Sequence, residues 1–228
     1  MAQLNVLGAG PVKRGITQAA AQFGKQSGHA VTVEFTAAPT VRERVLAGEA
    51  VDVVAVPAAT MDEFAAAGRI AGAARTTLGR ARMGLAMRHG AAAPDLSTAE
   101  SFRAAVAAAD AVVANLANSG NYVAKLVAQL GFGDDKLMRQ PDAVKVMELV
   151  ASSPARLLGA GQLPEIRELI DKGMAIELAG PLPDALQSIT AYDAAATAAG
   201  GNTAAAAEFI AFLAGAEARA LMAATGID

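Results

Sequence analysis

The feature that most limits how this chain can fold is its alternation of short apolar runs with segments of helical period. Residues 4–7 form an apolar run that ends at Gly8-Ala9-Gly10-Pro11. Behind it Val12, Ile16, Ala19, Ala20 and Phe23 recur at helical spacing until Gly28 stops the pattern. Residues 31–35 alternate apolar and polar, residues 36–40 read as a loop, and Val41, Val45 and Leu46 mark the face of a second helix ended by Gly48. Residues 51–56 are the near-continuous β-branched run expected of a strand buried on both faces. A third helix, 61–67, stops at Gly68. This βαβαβα order predicts a parallel sheet with right-handed crossovers.

The middle of the chain repeats the theme. Strands are expected at 83–87, 111–114, 157–159, 174–178 and 188–192. Helices are expected from Ser97, with Glu100 completing a capping box, and over 119–130 and 143–150. Another runs from near Pro164 to Lys172, and two alanine-rich helices close the chain at 203–213 and 216–224. No linker separates two halves, so the chain is expected to cross between lobes through strands, near 78–82 and again near 186–190. The resulting expectation is a two-lobed α/β protein, each lobe a mostly parallel sheet flanked by helices. Lobe one takes 1–80 plus 190–228 and lobe two takes 81–189.

Composition excludes several functions. Net charge is -3 without a basic tract, which argues against nucleic acid, whose binding needs clustered Lys and Arg. The absence of cysteine excludes disulfides and thiolate metal sites. His29 and His89 each sit beside a glycine in an expected surface turn, so no metal and no cofactor is expected. No Ser-His-Asp set and no phosphate-binding P-loop is visible. No apolar run approaches the roughly 20 residues of a membrane span. The start MAQLNVLGAG reads as a strand rather than a secretion signal. The chain is therefore expected in the cytoplasm if its native form begins here. It is expected in the periplasm, with a transporter as partner, if a leader has been removed.

Ligands of such sheets bind where strand carboxyl ends meet helix N-termini. At the first loop, Ala9 and Gly10 either offer amides to an anion or merely make a tight turn. Lys13 opposes the helix dipole, so it is either a counter-charge for a ligand or a solvated lysine. In the second helix Arg42 is followed by Glu43 and Arg44, so one arginine faces a cleft and one solvent, or the whole face is exposed. Arg80 and Arg82 share one face of an extended crossing strand. Asn115-Leu116-Ala117-Asn118-Ser119-Gly120-Asn121-Tyr122 ends a strand and opens a helix. Asn118 or Ser119 is a candidate N-cap, which does not explain the whole set, and Asn115, Ser119, Asn121 and Tyr122 are the candidate ligand contacts here. Gln162 is a ligand contact or the cap of the helix near Pro164.

Six segments, taken in order, carry a resemblance to a known family: residues 8–13, 35–42, 46–53, 115–122, 150–165 and 211–218. Together they resemble the molybdate-binding branch of type II periplasmic solute-binding proteins, the substrate-binding components of ABC transporters. They are also similar to signal-less members of that branch and to aconitate isomerases of the same fold. The resemblance implies two lobes joined by two hinge strands and closing on a small anion. It adds Ala38 and Thr40 of the second loop to the candidate ligand contacts. The hydroxyl residues that molybdate binders carry in the first two loops are here Ala9-Gly10-Pro11 and Ala37-Ala38-Pro39. That departure, with Lys13 and Arg42, points to a di- or tricarboxylate. The alternative is a cytosolic isomerase of an unsaturated tricarboxylate such as aconitate, its proton carried by Tyr122, Lys13 or Glu34.

Overall fold

A crossover helix returns each strand to the same direction, and two such returns build the parallel part of the first sheet. In the computed structural model, which describes residues 1–228 apart from the side chains of 73 and 74, β1 (Gln3–Ala9) pairs in parallel with β2 (Ala30–Thr36) and β3 (Val53–Pro57). The connections are α1 (Lys13–Ser27), α2 (Ala38–Leu46) and α3 (Ala58–Ala66), the last leading out of β3. Strand β9 (Ile189–Thr197) returns antiparallel to β3. The closing helices α8 (Thr203–Ala214) and α9 (Ala216–Ala224) pack on α1. Leu4, Val6, Ile16, Phe23 and Phe209 fill one core, and Leu7, Val54, Val56, Met61 and Phe64 fill another. The small residues of this chain permit close helix contacts: a Cβ at Gly15 would lie 2.3 Å from the Met222 sulfur.

The second sheet is centred on β5 (Ala111–Asn115), parallel to β6 (Leu137–Gln140) and β7 (Leu157–Gln162). Its helices are α4 (Ala99–Ala108), α5 (Asn118–Gln129), α6 (Ala143–Ser152) and α7 (Leu163–Asp171). The long strand β4 (Ile70–Arg88) lends its C-terminal part to this sheet, pairing antiparallel with β7 and with β8 (Ile176–Pro181). The chain divides into two compact units, 1–81 with 190–228, and 82–189.

Several elements differ from expectation. Strand β4 runs for 19 residues instead of five, because Gly72, Gly79 and a run of alanines conceal its strand character and pairing sets it instead. Strand β6 was not expected. It is four residues long, and half of them are polar. Helix α4 is capped by Thr98 with Ser101 rather than by Ser97 with Glu100: Thr98 Oγ1 accepts from the Ser101 amide at 3.0 Å. Residues 38–40 are not loop but the first turn of α2, where Pro39 fits because first-turn amides have no intrahelical acceptor. His29 is half-buried rather than fully exposed. Its side chain is 16% exposed, stacks on Phe23, and its Nδ1 accepts from the Ala2 amide at 2.9 Å.

One buried carboxylate ties the first unit together. Asp52 precedes β3; its Oδ2 accepts from the Asn5 amide at 2.8 Å and its Oδ1 from the Asn202 amide at 3.0 Å. It thus joins the start of β1 to the N-cap of α8. A truncation leaves these partly buried amides without their carboxylate acceptor. Asp52→Ala is expected to lower the unfolding free energy by about 2–4 kcal/mol, read as a reduced urea midpoint at unchanged slope.

Candidate functional site

Because β1, β2 and β3 are parallel, their carboxyl ends lie on one edge of the first sheet, with Ala9 in register beside Thr36. Three helices leave that edge. Gly10–Val12 forms a 3-10 turn after β1, and Lys13 is the first residue of α1. Ala38 opens α2, with Thr40 in its first turn. Neither α1, α2 nor α3 has a side-chain cap at its N-terminus, so the first amides of each are not satisfied in that way. Ala9 is buried, Gly10, Lys13 and Ala38 are half-buried, and Thr40 is exposed.

The arginines expected at this edge have acquired carboxylate partners. Arg42 Nε donates to Glu63 Oε2 at 2.5 Å on an exposed helix face. Arg44 bridges Glu34 and Glu49, and these contacts hold both carboxyls below the usual range. Glu34 is thereby a poor proton acceptor. Arg75, which sequence reading passed over, is held by Asp62 at 2.5 Å and by buried Asp193 at 2.7 Å from Nε. Arg80 is exposed, and its backbone pairs with that of Asp228. Arg82 meets Asp184 at 3.3 Å.

The second sheet has a richer edge, where β5, β6 and β7 all end. Asn115 is the last residue of β5 and is 5% exposed. Its Oδ1 accepts from the amides of Ala117 and Gly120, at 3.0 and 3.1 Å, turning the chain tightly into α5. Helix α5 starts at Asn118 with Ala117 as N-cap and no side-chain cap, so neither Asn118 nor Ser119 takes the capping role. Ser119 is half-buried in the first turn. Asn121 Oδ1 accepts from Arg139 Nη2 at 2.6 Å, and the same nitrogen donates to the Asn115 carbonyl at 2.7 Å. The Tyr122 hydroxyl donates to the Leu186 carbonyl at 2.9 Å. Its one proton is therefore committed, and the expected role of Tyr122 as a ligand donor gives way to that of a strut. Gln162, 4% exposed, is the N-cap residue of α7 but makes no side-chain cap bond.

Glu165 lies in the first turn of α7. Packing around its carboxyl, with lesser contributions from Glu168 and Asp142, pushes its pKa up to about 7. Helix α7 leaves the end of β7 at this same edge, so Glu165 in its first turn lies there. A glutamate in a first helical turn usually reads as dipole compensation, and nothing local in the sequence signals its enclosure. Among the described residues no group of three His, Cys, Asp or Glu side chains could hold a metal ion. None of the helices among them is long and apolar enough to cross a membrane.

A family model of bacterial extracellular solute-binding proteins matches residues 4–228. The chain belongs to this family. Among solved structures this solute-binding protein is similar to the periplasmic molybdate-binding protein of Azotobacter vinelandii, with TM-score 0.79, 20% identity, and 99% and 98% of the two chains covered. It is also similar to the sulfate-binding protein of Mycobacterium tuberculosis, with TM-score 0.77, 14% identity, and 99% and 86% covered. At these identities the likeness shows the fold: the type II periplasmic binding fold, mixed α/β with sheets flanked by helices. In sequence it is 29% identical over 202 residues to an aconitate isomerase from a Pseudomonas species, covering 84% of this chain and 74% of that one.

A raised carboxyl pKa has a defined cost in stability. Between about pH 4.5 and 7 the folded chain keeps the Glu165 proton that the unfolded chain has lost, so stability falls as pH rises through that window. Glu165→Gln removes this loss. The variant is expected to match the parent near pH 4 and to exceed it at pH 8 by an amount on the order of 1–3 kcal/mol, measured by urea unfolding at both pH values.

Proposed function

We propose that this solute-binding protein binds a small organic di- or tricarboxylate through the donors at the carboxyl edges of its sheets. The observation that carries the reading is the pair of buried carboxamide residues, Asn115 and Gln162. They stand at the ends of β5 and β7: Gln162 is the N-cap residue of α7, which has no side-chain cap bond, and Asn115 precedes the Leu116-Ala117 turn into α5, where its Oδ1 already takes the Gly120 amide. Neutral dipoles and first-turn amides favour an anion without requiring a buried cation. The contacts of Asn115 run through Oδ1, and its Nδ2 is proposed as a ligand donor beside the amides of Asn118 and Ser119. On the first sheet the proposed contacts are the amides of Ala9, Gly10 and Ala38, the hydroxyl of Thr40, and Lys13. Arg42 is proposed to serve only by exchanging Glu63 for a ligand carboxylate. Arg80 is retained as an exposed cation at the crossing strand. A transporter is the corresponding partner if the chain is exported.

The second reading is an isomerase of an unsaturated tricarboxylate, favoured by the likeness to an aconitate isomerase and by Glu165. A base would remove a proton from the methylene carbon and return it to the former vinyl carbon. A carboxyl titrating near neutrality suits both steps. Tyr122 and Glu34 are displaced as candidates by the contacts described above.

Calorimetry with citrate, trans-aconitate, molybdate and sulfate tests the first reading. The tricarboxylates are expected to bind at least tenfold more tightly than the inorganic ions, and Ser119→Ala is expected to weaken them by about 0.5–1.5 kcal/mol. Molybdate binding tighter than every carboxylate would reverse the assignment. Proton NMR of the same chain with cis- and trans-aconitate decides the second: interconversion supports the isomerase, and unchanged spectra dismiss it.

A further inference from the structure

We infer that Arg139 is the charged anchor of the anion site on the second sheet, holding a carboxylate of the ligand against the first turn of α5. The inference rests on the anion-binding reading above and adds to it a residue that the motifs do not contain. Arg139 is the third residue of β6, in register beside Ala114 of β5. Its Nη2 is fixed by two acceptors, the Asn115 carbonyl at 2.7 Å and Asn121 Oδ1 at 2.6 Å. Its Nε is enclosed without any acceptor, the one such buried side-chain atom among the described residues.

The guanidinium is therefore held in place but not neutralised. Both acceptors are uncharged, a peptide oxygen and an amide oxygen. Arg42, Arg44, Arg75 and Arg82 differ in that each meets at least one carboxylate. A partly desolvated cation with an orphaned N–H is costly, and native chains keep such a group where a ligand or ion completes it. The position suits that task. The guanidinium adjoins Asn115 at the end of β5 and Asn121 in the first turn of α5, so charge, neutral donors and open first-turn amides converge. With both Nη2 hydrogens engaged, the guanidinium offers an anion its charge and its remaining N–H groups, and the choice of a carboxylate is carried over from the proposed function.

Arg139→Gln tests the inference by calorimetry with citrate and with trans-aconitate, the fold being checked by circular dichroism and thermal melting. At least a tenfold loss of affinity is expected, with Arg139→Lys falling between. An affinity within twofold of the parent overturns the anchor while leaving the anion-binding reading intact. A parent chain that binds neither tricarboxylate nor inorganic anion overturns both. Should the glutamine variant fail to fold, the parent chain still decides. The Nε–H resonance of Arg139 is expected to shift on saturation with citrate, and a resonance that stays in place overturns the inference.

Discussion

Parallel pairing is the constraint on which the rest of this molecule depends. Strands β1 and β5 each sit between two parallel neighbours, so each group of three strands ends along a single edge. Every departure from those edges is a short turn into a helix, which concentrates first-turn amides there. The tightest departure is from β5. A Cβ at Gly120 would lie 1.9 Å from the Asn115 carbonyl oxygen, so only glycine lets α5 begin this close to the strand it leaves. That single absent atom lets Oδ1 of Asn115 reach the Gly120 amide, and sets Ser119 and Asn121 next to the strand end.

The two edges spend their charges differently. On the first sheet the arginines are absorbed by carboxylates of the same unit: Arg42 by Glu63, Arg44 by Glu34 and Glu49, Arg75 by Asp62 and Asp193. Most of these pairs are exposed and contribute little to stability. Arg75 with buried Asp193 is the structural exception. On the second sheet Arg139 is left to neutral acceptors, and burial pushes the Glu165 carboxyl pKa up to about 7. Neutralising Glu165 favours an anion nearby, and an anion nearby in turn favours the protonated carboxyl. Binding of the proposed anion at that edge would therefore be linked to proton uptake by Glu165.

Much of the fold was legible because its signals are local. Gly28, Gly48, Gly68 and Gly131 each end or directly follow a helix in a positive-φ conformation, and the β-branched run before Pro57 can only be a buried strand. The cluster from Asn115 to Tyr122 stood out because polar residues at a strand end have no packing explanation. What escaped sequence reading depends on contacts far apart in the chain. Glu63 lies 21 residues from Arg42, so the pairing that occupies that arginine has no sequence signature. Arg139 sits on a four-residue strand without alternation, and its acceptors are brought to it only by the pairing of β6 with β5. The Tyr122 hydroxyl was read as open because its acceptor is 64 residues away.

That last contact also bears on where the second unit ends. Tyr122 fastens α5 to Leu186, and the neighbouring Gln187 is knotted into β4: Oε1 accepts from the Met83 amide at 2.7 Å, while Nε2 donates to the carbonyls of Met83 and Leu182 at 3.1 Å. A polar side chain bonded at three backbone points is stiff, and it joins the two chain segments that carry the polypeptide into and out of this unit. The boundaries fall just outside the knot, between residues 81 and 82 and between residues 189 and 190. The first turn of α5, where the ligand donors are proposed, thus belongs to the same compact unit as both exits of the chain. The hydrogen bonds of Tyr122 and Gln187 connect α5 to residues 83 and 186–187, the segments next to both exits.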